Sequence, residues 1–366
     1  MSIRAVIMPA PFQPLRIVEL PTPTLEPGAA MLRTMFSEVC GTDVHLHHGR
    51  LSGVPYPLVP GHVSVGRIEK MRGHIADVDG HPFREGDVVT FLDVHETCGH
   101  CHACLVTHQS TRCPSRKVYG ITYGAEDGPL GGWAEQIWIK PGVKLLRLPP
   151  TLAPEAFIGG GCGLVTALHA VDRAEIQLDQ VVVVLGAGPV GQSLVALARL
   201  SGANEVIAIG APADRLDFAQ RMGADLAVGL DVTSGDREAI VRQRTGGRGA
   251  DVVIEASGAP EAVPEGLDLL RDGGRLVICG HYTDNGDVRV HPHFQINRKH
   301  VEIRGVWGTD YSHFHRAVSI AARHAGTIPW RDMISGVYPL DKAADALAAV
   351  EHQHVLKALI APNAPS

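Results

Sequence analysis

Cys40-Gly41-Thr42-Asp43-Val44-His45 packs a soft metal ligand, a hydroxyl, a carboxylate and an imidazole into one short stretch. Gly61-His62 follows a proline-rich run (Pro55, Pro57, Pro60), and another thiol, Cys162, stands inside Gly159-Gly160-Gly161-Cys162-Gly163. Cys, His and Cys are ligand types that zinc takes, and three protein ligands with a fourth position open describe a catalytic rather than a structural zinc. The plainer alternative makes Cys40 and Cys162 ordinary buried thiols and His62 a turn histidine. The residues around them decide between the two.

A second cluster, Cys98-Gly99-His100-Cys101-His102-Ala103-Cys104 with Cys113 beyond it, has a different character. Four thiolates with two-residue gaps close a tetrahedron around zinc and leave no place for water, so this site ties down a loop. A redox Cys-x-x-Cys would need a βαβ context that this part of the chain lacks. With four Cys filling the shell, His95, His100 and His102 are expected to be solvated loop histidines. Cys279, without an evident partner, is expected to be a buried thiol.

A third constellation lies in the middle of the chain. Gln180-Val181-Val182-Val183-Val184-Leu185 reads as a parallel strand buried on both faces. It runs into Gly186-Ala187-Gly188-Pro189-Val190-Gly191, then an apolar helix at 190–200 and a second strand at 205–209. In such a βαβ unit, Gly186 permits the tight turn and Gly188 lets the backbone approach a pyrophosphate. Gly191 lets helix and strand pack closely, and the helix N-terminus faces the phosphates. The acidic residue that would hold the ribose hydroxyls is missing. Gly210 stands there, with Arg215 nearby, so both NAD and NADP stay open.

The elements that must position these residues follow a simple plan. Residues 1–163 read as short strands broken by Gly and Pro, with 5–8, 15–19, 30–35, 64–69, 87–91, 117–121 and 131–139 strand-like and 72–84 a surface loop or hairpin. Trp133 and Trp138 belong to core or pocket wall. Strands at 250–256, 274–280 and 301–306 continue the parallel sheet, their loops lying where a dinucleotide rests. Helices are expected at 313–325 and 341–350, the latter N-capped by Asp341, with strands at 337–340 and 357–360. His313, His315 and Arg316 could line a cleft, with a solvated helix face the default expectation. A chain of 366 residues suggests two domains. Its 45% hydrophobic content affords a sizeable core, and a net charge of -6 argues against nucleic-acid or anionic-membrane partners. No targeting or transmembrane segment is evident, which suggests a cytoplasmic protein. Seven Cys, four of them clustered, suit metal binding better than a disulfide framework.

Taken together, these motifs resemble those of the zinc-dependent medium-chain alcohol dehydrogenases over nearly the whole chain. The resemblance rests on Cys40 to His45, Gly61-His62, the four-Cys lobe, Gly160-Gly161-Cys162-Gly163, Gly186 to Gly191 and Asp251 to Ala256. It implies an α/β protein: a GroES-like β-rich catalytic domain (1–163) with the structural zinc lobe, a Rossmann doubly wound parallel sheet (164–306) binding NAD or NADP, and a return to the catalytic domain (307–366). It implies two Zn2+ per chain, a catalytic one on Cys40, His62 and Cys162 and a structural one on Cys98, Cys101, Cys104 and Cys113. Asp43 matches the carboxylate that orients the zinc-bound histidine. Thr42 matches the hydroxyl that takes the substrate proton, and His45 the histidine that passes it to water. Gly186, Gly188, Pro189, Val190, Gly191, Gly210 and Arg215 fall at the nucleotide. A homodimer or homotetramer is also implied.

Two departures stand out. The family commonly has Glu directly after the zinc-binding histidine, where this chain has Val63, and that Glu is thought to help the metal change coordination. The last gap of the four-Cys lobe is one residue longer than usual. The expected reaction is reversible hydride transfer between a primary or secondary alcohol and NAD(P), with His45, His47 and His48 hinting at a polar alcohol or polyol. Three rivals differ in what they require. A zinc-free quinone or enoyl reductase of the same superfold has no need of Cys40, His62 and Cys162. A non-catalytic zinc and nucleotide-binding homologue binds cofactor without turnover. A zinc-ribbon nucleic-acid binder conflicts with the acidic balance and the dinucleotide loop.

Overall fold

The structure, a computed structural model, describes residues 2–363. The chain divides into two compact units, one made of Met1–Cys162, Thr309–Ala325 and Trp330–Ser366, the other of Gly163–Gly308 and Gly326–Pro329. Among the described residues no helix is long and apolar enough to cross a membrane.

The first unit is built on a seven-stranded sheet. In order across the sheet run Ile334–Tyr338, Lys357–Ile360, Ala30–Val39, Ser64–Met71, Val88–Phe91 and Leu145–Arg147, and Gln136–Ile139 also pairs with Ala30–Val39. Every neighbouring pair is antiparallel except Ile334–Tyr338 with Lys357–Ile360. Ala30–Val39 is the central element, paired to three strands, and Leu32, Thr34, Ser37, Glu38 and Val39 are all buried along it. Leu32 joins a cluster with Ile68, Phe91, Tyr119 and Ile137, while Val39 joins another with Leu46, Trp133, Leu347 and Ile360. Apolar burial on this scale is the main favourable term holding such a sheet. It leaves little play at the strand's end, where Cys40 begins.

The second unit is a six-stranded parallel sheet. Its order is Leu226–Gly229, Glu205–Gly210, Val181–Leu185, Ala250–Glu255, Leu270–Ile278 and Glu302–Gly305. Numbered within the unit this is 3-2-1-4-5-6, the order of the doubly wound dinucleotide fold. Val183, Ile207, Val253, Leu267 and Leu276 form its core. The run at 181–185 is wholly buried, as its unbroken β-branched composition requires.

Several local expectations are corrected. Only Lys117–Val118 of the 117–121 segment is strand, and the strand expected from 131 begins at Gln136. Beyond the expected helices, the chain is helical at Gly41–His47, His102–Leu105, Pro154–Ala174, Ala213–Arg221, Ser234–Arg244 and Ala262–Leu269. The last helix starts at Ala343 with Lys342 at its N-cap, and Asp341 lies in the preceding 3-10 turn. His313 is not solvated. It is buried on helix Tyr311–Arg323 and accepts the Asp310 amide N–H at 3.1 Å through Nδ1, closing that helix's N-terminal cap. His95 is half-buried against the Tyr123 hydroxyl and the Pro141 carbonyl, whereas His100 and His102 are exposed.

Candidate metal centres and nucleotide loop

Cys40 ends the central strand in an extended conformation and starts helix Gly41–His47 as its N-cap. Its Sγ accepts the Thr42 amide N–H at 3.3 Å, and its own amide donates to Asp43 Oδ2 at 2.9 Å. Amides aimed at a thiol favour its thiolate, as does the positive end of a helix. Thr42 and His45 stand three residues apart on this helix, and that spacing puts them on one face. Both are half-buried. His45 Nδ1 is buried with no hydrogen-bond partner, and burial holds this imidazole below its ordinary pKa.

His62 follows Gly61, whose φ is +92°. A Cβ at Gly61 would lie 2.4 Å from Ser37 Oγ and 2.5 Å from Trp133 Cδ1, so only glycine lets the chain pass there. The turn delivers His62 Nε2 to 4.0 Å from Cys40 Sγ. Cys162 comes from helix Pro154–Ala174, just past a break at Gly161. One ligand atom each from Cys40, His62 and Cys162 lies within 4.8 Å of the others. On a tetrahedral zinc, S and N ligands at about 2.3 and 2.0 Å sit roughly 3.6 Å apart, so the donors fit this ion in type and in spacing.

The charges within the cluster also favour a cation. Cys40 is held well below the usual thiol pKa by its hydrogen bond with Cys162, with His62 assisting against the effect of burial. Cys162 is pushed well above it by that same bond and by burial. Burial alone would depress His62, yet the Cys40 charge and hydrogen bond, with Asp43 and Asp93, raise it to about 10. A proton is thus drawn onto a nitrogen that a divalent cation would take instead. Asp43 does not hydrogen-bond His62. Its Oδ2 is committed to the Cys40 amide, while Asp43 Oδ1 and His62 Nδ1 have no hydrogen-bond partner. Asp93, buried and within electrostatic reach of His62, was not foreseen. The signal for it was a carboxylate interrupting the apolar run Val88–Val94. Glu38 and Lys357 were likewise not foreseen, and the carboxylate accepts the Cys162 amide. His48 is tied to Glu351 at 2.7 Å and stacks on Phe12.

The four-thiol lobe is more open. Cys98, Cys101, Cys104 and Cys113 place their sulfurs within 4.8 Å of one another. Around them are the four-residue helix His102–Leu105 and the 3-10 turn Ser110–Arg112. The Cys98 amide donates to Cys113 Sγ at 3.3 Å and is the main reason that thiol falls to about 7. A donor set of four sulfurs without a carboxylate or imidazole fits a closed zinc site. The longer last gap is taken up by this turn.

In the second unit, Gly186 has φ +118°, and a Cβ there would lie 2.9 Å from the Ala256 backbone. A Cβ at Gly191 would lie 1.8 Å from the Gly186 carbonyl, whereas one at Gly188 would meet nothing within 4 Å. The loop is closed where helix and strand meet and open where a pyrophosphate would lie. Helix Pro189–Leu200 has no side-chain cap, so its first amides face this space. Pro189 and Val190 are half-buried at its start. Gly210 has a physical reason: a Cβ there would come within 2.9 Å of Ala187 N and Cβ. Buried Gln192, not foreseen, donates to the Ala187 and Arg215 carbonyls at 3.1 and 2.7 Å and so ties Arg215's helix to the loop. The residues present fit a dinucleotide.

Residues 26–150 match the alcohol dehydrogenase GroES-like domain family, and residues 189–323 match the zinc-binding dehydrogenase family. The chain is 36% identical to 5-exo-hydroxycamphor dehydrogenase of Pseudomonas putida, an alignment covering 93% of this chain and 94% of that one. Its fold is similar to that of an alcohol dehydrogenase from Thermotoga maritima, with a TM-score of 0.94, 31% identity and coverage of 99% and 100%. It is also similar to a chain described as a zinc-binding dehydrogenase from Sinorhizobium meliloti 1021 bound to NADP, with a TM-score of 0.85, 28% identity and coverage of 99% and 100%.

Proposed function

The chain belongs to the zinc-type medium-chain dehydrogenase/reductase family, and from that premise we propose that it is an alcohol dehydrogenase whose catalytic zinc rests on Cys40, His62 and Cys162. The reaction is reversible hydride transfer between a secondary or primary alcohol and NAD or NADP. The observation that carries this reading is the convergence of those three ligands from distant segments onto one point beside the Thr42–His45 helix face. The relative named for hydroxycamphor makes secondary alcohols on a carbon ring the first class to try.

When bound, zinc supplies Lewis-acid polarisation of the alcohol oxygen and the dinucleotide supplies the hydride acceptor. Everything else falls to this chain. Thr42 Oγ1 takes the hydroxyl proton and gives up its own toward His45. His45, held neutral by burial, accepts that proton and releases it to water. Asp43 keeps Cys40 in place through the helix cap rather than through the imidazole. Cys98, Cys101, Cys104 and Cys113 hold a second, structural zinc, making two per chain. Gly186, Gly188, Pro189, Val190 and Gly191 cradle the pyrophosphate, with Gly210 and Arg215 at the adenosine ribose. All seven cysteines are free, which suits a reducing cytoplasm. The outer strand Glu302–Gly305 of the parallel sheet exposes Ile303. An unpaired edge of that kind suits assembly into a homodimer or homotetramer.

A panel of cyclic, acyclic and polyhydric alcohols, each offered with NAD and with NADP and followed by nucleotide absorbance, tests the reading. Turnover that disappears in Cys40→Ser is expected. Bound nucleotide with no turnover on any alcohol or ketone would contradict it.

A further inference from the structure

Helix Pro154–Ala174 is broken at Gly161, where φ is +46° and ψ is −138°. Such a break interrupts the backbone ladder, and the carbonyls and amides it orphans need partners when buried. A buried ion pair supplies them. Lys357 Nζ donates to the carbonyls of Ile158 and Gly160 at 3.4 and 3.2 Å and to Glu38 Oε1 at 2.7 Å. That uses all its donors. Glu38 Oε2 accepts the Cys162 amide N–H at 2.8 Å, and Glu38 Oε1 lies 3.2 Å from Cys162 Sγ. Both charged side chains are 1% exposed. Gly161 closes the arrangement, since a Cβ there would stand 2.0 Å from Glu38 Oε2.

A buried Glu–Lys pair is a poor source of net stability, because desolvation offsets the attraction. This one sits against one thiol of the three-ligand cluster and holds the backbone on both sides of the Gly161 break that precedes it. Val63, directly after His62, has no carboxylate to offer; at Cys162 a carboxylate comes from Glu38 on the central strand. From this geometry we infer that Glu38, locked by Lys357, is a positioning residue for the metal centre. It aims Cys162 Sγ at Cys40 and His62, and Lys357 offsets its charge so that the centre gains no uncompensated anion. The inference rests on the zinc reading of Cys40, His62 and Cys162.

The test is zinc release from the purified holoenzyme to a chromogenic chelator, with Cys40→Ser identifying which kinetic phase belongs to the Cys40 centre. Glu38→Gln alone would strand a buried ammonium, so the principal variant is Glu38→Gln/Lys357→Met, which removes both charges. The variant is expected to melt as cooperatively as wild type and to release the Cys98–Cys113 zinc at the wild-type rate. It should release the Cys40-centre zinc about tenfold faster or more, the scale at which partners of metal ligands act. Wild-type release rates for both zincs would overturn the inference and leave the pair as a tie between strand and helix. If Cys40→Ser carries as much zinc as wild type, the zinc reading itself fails and takes the inference with it, an outcome distinct from unchanged release kinetics.

Discussion

The two candidate metal clusters of the first unit are made in opposite ways. The four thiols come from one short segment with almost no regular structure, and three of them are only half-buried. Cys40, His62 and Cys162 come from a strand end, a glycine turn and a helix break, and Cys40 and His62 are each 7% exposed. The first cluster is local to one short segment. The second is set by a sheet, a helix cap and a buried ion pair. A three-ligand set suits chemistry, and a closed four-thiol set suits cohesion.

Cys40→Ser separates the two clusters most sharply. Turnover is expected to fall by at least about a thousandfold, on the order of 4 kcal/mol of barrier, with the lobe's zinc retained. An equal loss from Cys104→Ser, assayed on folded protein, would erase the distinction. Thr42→Val keeps the shape of the side chain and removes its hydroxyl. It should lower kcat about a hundredfold, the usual scale of acid–base assistance, without changing zinc content. Unchanged kcat would remove Thr42 from the proton path.

Cys113→Ser sharpens the comparison from the other side. The melting temperature should fall by roughly 3 °C, equivalent to about 2 kcal/mol in a chain of this size, while kcat of the folded fraction at 25 °C stays within about twofold. A kcat loss without a stability loss would contradict the cohesive role. His45 gives the smallest effect. Burial lowers its folded-state pKa below the ordinary value of about 6.5, so the unfolded chain binds more protons there. Its stabilising contribution is present above that value and is lost as pH falls through the lowered one. Urea midpoints at pH 5 and pH 8 should therefore drop further in wild type than in His45→Gln. Equal drops would mean that His45 is not held neutral by the fold.

The contrast between the clusters also explains what the sequence revealed. The clustering of the four thiols was legible because they lie within one window and their spacing suits a tetrahedron. The dinucleotide loop was legible because Val181–Leu185, Gly186 to Gly191 and the following helix are contiguous. Cys40 and His62 stood out through their neighbours. Glu38 and Lys357, by contrast, are 319 positions apart. Nothing local marks either one, and only the pairing of Lys357–Ile360 with Ala30–Val39 brings them together. The helix around Cys162 was missed because Gly159, Gly160, Gly161 and Gly163 have the poorest helix propensity apart from proline, and tertiary packing overrides it. His313 reads as a surface residue until Asp310 is seen to cap its helix.

Zinc content by elemental analysis, on protein purified without added metal, tests the central claim most directly. Wild type should carry two zinc per chain, with one remaining in Cys40→Ser and one in Cys113→Ser, each variant losing a different ion. One zinc per chain in wild type, unchanged in Cys40→Ser even after zinc is restored, would contradict a catalytic metal at Cys40, His62 and Cys162.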